Sequence, residues 1–176
     1  AQLYLNGIIN SRGAFVTDFD TNRLRFNSET NYYEFVLIWA AETKLGKDIV
    51  IDQYDIRQLQ LAKAAIYTAT KLLMNDLDIT FKDIDTIKIA GSFGQYIDPK
   101  SMITVGFLPY IKQDQIEFIG NSAGDGARIA LCNVEKRREA EKIAPKVNYI
   151  ELTLEKDFQS ELMKAIQIPH AEDLFE

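Results

Sequence analysis

The sequence has very little of the chemistry from which disulfide-rich and metal-binding proteins are built. Among its 176 residues there is one cysteine, Cys132, and one histidine, His170. A single thiol cannot close an internal disulfide, and it cannot supply the ligand set of a zinc or iron–sulfur site. We therefore expect a chain with neither feature, and its composition suits a reducing, cytoplasmic setting.

Excess positive charge and long apolar runs are also lacking. The 20 Lys and Arg are outnumbered by 26 Asp and Glu, which gives a formal net charge of −6. A nucleic-acid groove or an anionic membrane surface normally calls for a basic patch, so neither partner is expected. The longest apolar block, residues 35–41, is too short to span a bilayer. A small molecule or a protein is the predicted kind of partner.

The residues that are abundant favour one compact α/β domain. Hydrophobic residues make up 47% of the chain and charged residues 26%, which is enough for a sizeable core. Apolar alternation predicts strands over 33–39, 48–51, 85–93, 115–120 and 147–152. Helical spacing predicts helices over 53–75, 99–108, 124–133, 134–144 and 155–166. The alternation of strands and helices in the second half is typical of an α/β layer.

The helix over 53–75 is the clearest predicted element. Asp52 and Asp55 resemble a capping box, with aspartate in the usual glutamate position. The apolar positions that recur at helical spacing predict its buried face, and they are Ile56, Leu59, Ala62, Ile66, Ala69 and Leu73.

The usual catalytic side chains do not form recognisable sets. His170 has no partner nearby in the sequence, so a surface or packing role is expected for it. Cys132 lies in ARIALCN on what the pattern predicts to be a buried helix face, where a thiol is an inert core residue. No catalytic residue is therefore predicted.

Two glycine-rich corners carry more information. In IAGSFG a predicted strand ends at Gly91 and Gly94, where open α/β sheets bind ligands and where a missing side chain lets a ligand approach the backbone. GNSAGDGA again follows a strand and opens a helix, whose amides could face an anion. Spacing alone leaves a tight turn as the better interpretation of each corner, and no P-loop motif occurs.

Three blocks in a fixed order resemble a known family. DIRQLQLAKAAI (55–66), IAGSFGQYIDPKSMITVGFLP (89–109) and GNSAGDGARIAL (120–131) are similar to the C-terminal ATPase-like region of the reductive activators of corrinoid enzymes. These activators belong to the acetate and sugar kinase, heat-shock chaperone and actin superfamily. The resemblance implies a partial ribonuclease-H-like, actin-like ATPase lobe, with a mixed sheet and flanking helices. It also implies that residues 1–176 form one domain, a C-terminal lobe fragment of a larger protein.

The resemblance further implies an ATP-dependent function. Activators of this family return an inactive cobalt(II) corrinoid protein of a methyltransferase or demethylase system to cobalt(I), with electrons from an iron–sulfur domain of the same polypeptide. The implied cofactors are ATP with Mg²⁺ here and an iron–sulfur cluster outside this region. The implied partner is a corrinoid protein, and a homodimer is compatible with the family.

Site residues follow from the resemblance only where the motifs match. The adenosine-contacting corner of the superfamily corresponds to Gly91, Ser92, Phe93 and Gly94. The helix upstream of that corner can reach adenine from the other side, which makes Arg57, Gln60 and Lys63 candidates. Asn121, at the end of the next strand, is a weaker candidate.

Departures from the family pattern limit what the chain is expected to do alone. The four ferredoxin cysteines, the aspartate-glycine-threonine phosphate turns and the catalytic acid are not found in this sequence. The chain could complete the adenosine side of an ATP and Mg²⁺ site, but no hydrolysis is expected from it by itself. Two alternatives stay open: a module that docks a corrinoid protein or partner subunit without nucleotide, and a lobe of a sugar or acetate kinase-like enzyme.

Overall fold

The computed structural model describes residues 1–91, 94, 96–108 and 111–173. The helices are α1 (Gln2–Leu5), α2 (Gln53–Asp76), α3 (Pro99–Val105), α4 (Ser122–Cys132), α5 (Val134–Ile143) and α6 (Phe158–Ala165). The strands are β1 (Leu24–Asn27), β2 (Tyr32–Ile38), β3 (Ile49–Asp52), β4 (Ile87–Ala90) and β5 (Ile116–Gly120). The predicted α/β class is confirmed.

The strands form one antiparallel and one parallel sheet. β1, β2 and β3 pair antiparallel in that order, with Phe35 opposite both Leu24 and Ile51. These three side chains lie on the sheet face that packs on the main hydrophobic core. β4 and β5 pair in parallel, with Ile87 opposite Ile116. Antiparallel and parallel pairing are thus both present, in separate sheets within the described residues.

The long helix α2 begins where the sequence predicts. The Asp55 amide donates to Asp52 Oδ1 at 2.8 Å, and the Asp52 amide donates to Asp55 Oδ2 at 3.1 Å. This reciprocal pair satisfies two backbone donors that the first helical turn leaves without a partner, so the predicted capping box is confirmed.

The predicted buried face of α2 is right at Ile56, which is 4% exposed, and wrong for most of its other positions. Leu59, Ile66 and Leu73 are each about two-fifths exposed, whereas Gln60 and Lys63 are only 1% exposed. The reason is tertiary packing. Helix α6 and residues 166–170 pack on the polar stripe of α2, and we call residues 166–170 the C-terminal segment. The larger apolar side chains of the predicted stripe after Ile56, which are Leu59, Ile66 and Leu73, are left partly at the surface.

The main core lies between the two sheets, α2 and the C-terminal segment. Its buried members are Ile9, Phe15, Ile56, Met102, Val105, Phe107, Leu108 and Ile168. Helix α3 supplies part of this core. The helix has Pro99 in its first turn, and the Asp98 carboxylate before it accepts a hydrogen bond from the Ser101 amide at 2.8 Å. Gly106 ends α3 in the left-handed conformation, with φ of 79°.

Two further expectations are corrected in the second half. Cys132 is exposed, because neither α4 nor α5 has a buried residue. Residues 147–151 form no strand: Val147 and Tyr149 are 71% and 84% exposed, and no described strand lies beside them. Alternating apolar residues without a pairing edge do not make a strand.

Within the described part of the chain, no helix has both the length and the apolar character that crossing a membrane requires.

Candidate functional site

The two glycine corners meet at one edge of the parallel sheet. Gly91 follows β4 and Gly120 ends β5, so both lie at the carboxyl ends of neighbouring strands. The Gly91 amide donates to the Gly120 carbonyl oxygen at 2.7 Å. The sequence predicted each corner separately, and the structure joins them into one surface at the place where open α/β sheets bind ligands.

Glycine is needed at Gly91 and Gly94 for different reasons. Gly91 has φ of 85°, and a Cβ added there would meet no atom within 4 Å, so the backbone at this turn faces open space. A Cβ on Gly94 would lie 2.8 Å from both Ile89 Cγ2 and Phe118 Cδ1. A side chain at position 94 would therefore collide with the sheet, while Gly91 leaves its side open to an approaching group. Ser92 and Phe93 lie outside the described residues.

Asn121 connects the corner to a helix. It is the N-cap of α4, and its Oδ1 accepts a hydrogen bond from the Gly124 amide at 3.1 Å. The side chain is exposed and follows Gly120 directly, so the structure brings it beside the joined corners. Its carboxamide Nδ2 is a donor on the same side chain, available to an acceptor on a ligand.

Of the three candidates on α2, Arg57 is exposed, whereas Gln60 and Lys63 are buried. Arg57 is exposed, and the described part of the chain offers its guanidinium no hydrogen bond or ion pair. Gln60 is buried, and its Nε2 donates to the carbonyl oxygens of Arg12 at 3.1 Å and Ile166 at 2.8 Å. Gln60 thus fastens the N-terminal loop and the C-terminal segment to α2.

Lys63 also holds the C-terminal segment on α2. Its ammonium nitrogen donates to the carbonyl oxygens of Gln167 and Pro169, the latter at 2.6 Å. Burial lowers the pKa of Lys63 to about 7, because its charged form loses contact with water. The structure brings Gly91, Gly94 and Asn121 together, and it directs Gln60 and Lys63 into the protein interior.

A charged cluster farther along the same stripe of α2 was missed by sequence reasoning. Lys71 Nζ lies 2.9 Å from Glu161 Oε2 and 2.7 Å from Asp173 Oδ2, and the Tyr67 hydroxyl donates to that Asp173 oxygen at 2.5 Å. Burial alone would raise the pKa of Asp173, but these hydrogen bonds outweigh it and hold the pKa below its usual value. The signal in the sequence was a polar residue every three or four positions, at 60, 63, 67 and 71.

His170 completes this cluster as a packing residue. Its ring lies 4.9 Å from the Tyr67 ring, and its Nδ1 accepts from the amides of Glu172 and Asp173. Burial lowers the pKa of His170. Glu161, His170 and Asp173 bring ligand-type atoms within 4.8 Å of one another, but Lys71 is already paired with both carboxylates and Lys164 is paired with Glu161. This arrangement is that of an ion-pair network.

Comparisons with known proteins identify the family of this chain. The family model described as the C-terminal domain of RACo, the ASKHA domain, matches residues 1–176. The chain is 39% identical over 163 residues to the corrinoid activation enzyme RamQ of Eubacterium limosum, covering 90% of this chain and 28% of that protein.

A solved structure gives the same result. The protein titled reductive activator for corrinoid, iron-sulfur protein matches with a TM-score of 0.87 and 38% identity, over 97% of this chain and 27% of the other. The chain thus spans little more than a quarter of the length of these two relatives. A match of the family model over every residue, with relatives close to 40% identical, identifies the family. The chain belongs to the family of C-terminal ASKHA domains of RACo.

Proposed function

We propose that this chain supplies the adenosine side of the nucleotide cleft of an ATP-dependent reductive activator of corrinoid proteins. The observation that carries the proposal is the joined glycine corner, where the Gly91 amide bonds to Gly120 and the space above Gly91 is open. An aromatic base or a ribose can approach a backbone without side chains to van der Waals distance.

The residues present fit the nucleoside part of ATP and leave its phosphates to other parts of an activator. Gly91, Gly94 and Asn121 provide a flat backbone edge and one carboxamide, and Arg57 is an exposed cation on α2. In this proposal Ser92 and Phe93 are further nucleotide-binding residues, while Gln60 and Lys63 act indirectly by holding the C-terminal segment on α2. Mg²⁺ would accompany the phosphates, where this chain has no matching turn.

The whole activator would couple nucleotide to an electron transfer. An iron–sulfur cluster would supply the one electron that reduces cobalt(II) to cobalt(I) in the corrinoid protein, and hydrolysis of ATP by water to ADP and phosphate would drive the unfavourable transfer. The single cysteine of this chain means that the cluster would have to be held elsewhere in the polypeptide. The names of the two relatives support a corrinoid protein as the partner.

Replacing Gly91 by valine tests the proposal in an activator polypeptide that contains this domain. Because a valine side chain would fill the open space at the corner, we expect ATP affinity to fall about tenfold or more, which corresponds to roughly 1.4 kcal/mol. Isothermal titration with a non-hydrolysable ATP analogue measures this change.

The matched control is Gly46→Val, since Gly46 also has a positive φ, of 63°, and also faces open space, but lies in the turn between β2 and β3. Both variants carry the same type of backbone strain. Equal affinity in the Gly91 and Gly46 variants would remove the corner from the nucleotide site. Binding of a corrinoid protein that is independent of nucleotide in both would favour the docking-module alternative instead.

A further inference from the structure

A cavity lies at the opposite edge of the parallel sheet from the glycine corners. Its volume is about 680 Å³, and it opens between the second half of α2, the 3₁₀ turn at Phe81–Asp83 and the chain entering β5. Cavities of this volume are typical of sites for small organic molecules. β4 alone places roughly 13 Å of strand between this edge and Gly91, so the two surfaces are separate.

The floor of the cavity is apolar and largely buried. Met74 and Ile111 line it and are 7% and 6% exposed, and the ring of Phe81 lies 6.3 Å from that of Tyr67. These side chains together offer an apolar surface to a ligand. A flat or aliphatic body would be desolvated there without reorganising the protein.

The charge around the cavity is positive in an otherwise acidic chain. Three cations, Lys71, Lys82 and Lys112, line it with one carboxylate, Asp173, which lies 2.7 Å from Lys71. Lys82 and Lys112 are exposed, and neither ammonium group has an ion pair among the residues that the structure describes. The two lysines belong to the turn before β4 and the segment before β5, on the side of the cavity formed by the strand entrances.

We propose that this cavity binds a small organic anion, with its apolar body on Met74, Phe81 and Ile111 and its carboxylate or phosphate group at Lys82 and Lys112. The apolar floor alone would bind a neutral molecule equally well, and the two free cations alone would bind an inorganic anion equally well. Together they select an organic anion. The site does not depend on the proposed nucleotide function.

The probe that tests this is 4-phenylbutyrate, titrated into the ¹⁵N-labelled 176-residue chain and followed by NMR. We expect saturable shifts centred on the amides of Thr80–Lys82, Lys112 and Gln115. The neutral analogue 4-phenylbutanol shares the apolar body and lacks the charge. It should bind about five- to tenfold more weakly, which is the effect of two exposed charge pairs.

Charge-matched variants locate the anion. The double variant Lys82→Gln, Lys112→Gln should weaken phenylbutyrate binding about five- to tenfold, and the control Lys44→Gln, Lys47→Gln should leave it unchanged. The control lysines are exposed in the turn between β2 and β3, so both pairs remove the same charge. Equal affinity for the acid and the alcohol, equal effects of the two double variants, or shifts centred elsewhere would each overturn the proposal.

Discussion

Replacing Gly106 by alanine should destabilise the fold more than any other single methyl addition at a left-handed glycine of this chain. A Cβ at position 106 would lie 2.1 Å from the Pro169 carbonyl oxygen and 2.8 Å from its carbonyl carbon, and φ is 79°. Both neighbouring atoms are backbone, so the end of α3 and the C-terminal segment would have to separate. We expect a loss of about 3 kcal/mol or more in the free energy of unfolding, measured in urea.

Gly7→Ala is the matched control for this change. Gly7 also has a positive φ, of 71°, but a Cβ there would meet nothing within 4 Å. Its substitution should therefore cost only the backbone strain, about 1–2 kcal/mol. The difference between the two variants isolates the contact between Gly106 and Pro169, and equal losses would mean that the C-terminal segment does not pack on α3 as described.

Lys63→Met should remove a pH dependence from the stability of the protein. The folded pKa of Lys63 is about 7, whereas an unfolded lysine has its ordinary value near 10.5. Between these values the unfolded chain binds more protons, so stability rises with pH by up to about 1.4 kcal/mol per pH unit. Urea unfolding from about pH 8 to about 9.5 should show this rise in the unaltered chain and its loss in the variant.

The same helix offers a control for Lys63. Lys71 is paired with Glu161 and Asp173, and its hydrogen bonds to them outweigh its burial, so its pKa is raised rather than lowered. Lys71→Met should therefore destabilise the protein while leaving the rise with pH in place. An unchanged rise in the Lys63 variant would show that Lys63 is not the group that titrates in this window.

Local features of the fold could be predicted from sequence because their causes are local. The reciprocal bonds of Asp52 and Asp55 involve neighbours three residues apart, and the helix they start was placed to within one residue at its far end. The prediction of a strand at 147–152 was wrong, because a strand is stabilised by pairing with a neighbouring strand. No described strand lies beside these residues.

The buried face of α2 shows what sequence pattern cannot provide. Helical periodicity identified the apolar stripe correctly, but it assumed that this stripe meets the core. In the structure the C-terminal segment packs on the opposite stripe, where Gln60 and Lys63 donate to its carbonyl oxygens. Those hydrogen bonds join residues about 105 positions apart, so no local window of sequence contains them.

The candidate site was partly predictable for the same reason. Glycine spacing placed Gly91 at the end of one strand and Asn121 after another, because strand ends can be read locally. Their juxtaposition depends on parallel pairing of β4 with β5, which the hydrogen bond from Gly91 to Gly120 reports. The cavity near Lys82 and Lys112 had no sequence signal, since its walls come from three separate elements.

An NMR titration of the ¹⁵N-labelled chain with ADP tests whether the joined glycine corner binds a nucleotide. If the joined corner is the adenosine side of a nucleotide cleft, the amides of Gly91, Gly120, Asn121 and Gly124 should shift together with one dissociation constant, in the millimolar range expected of half a site. Unshifted corner amides would contradict the account, as would ADP shifts confined to the cavity lined by Lys82 and Lys112.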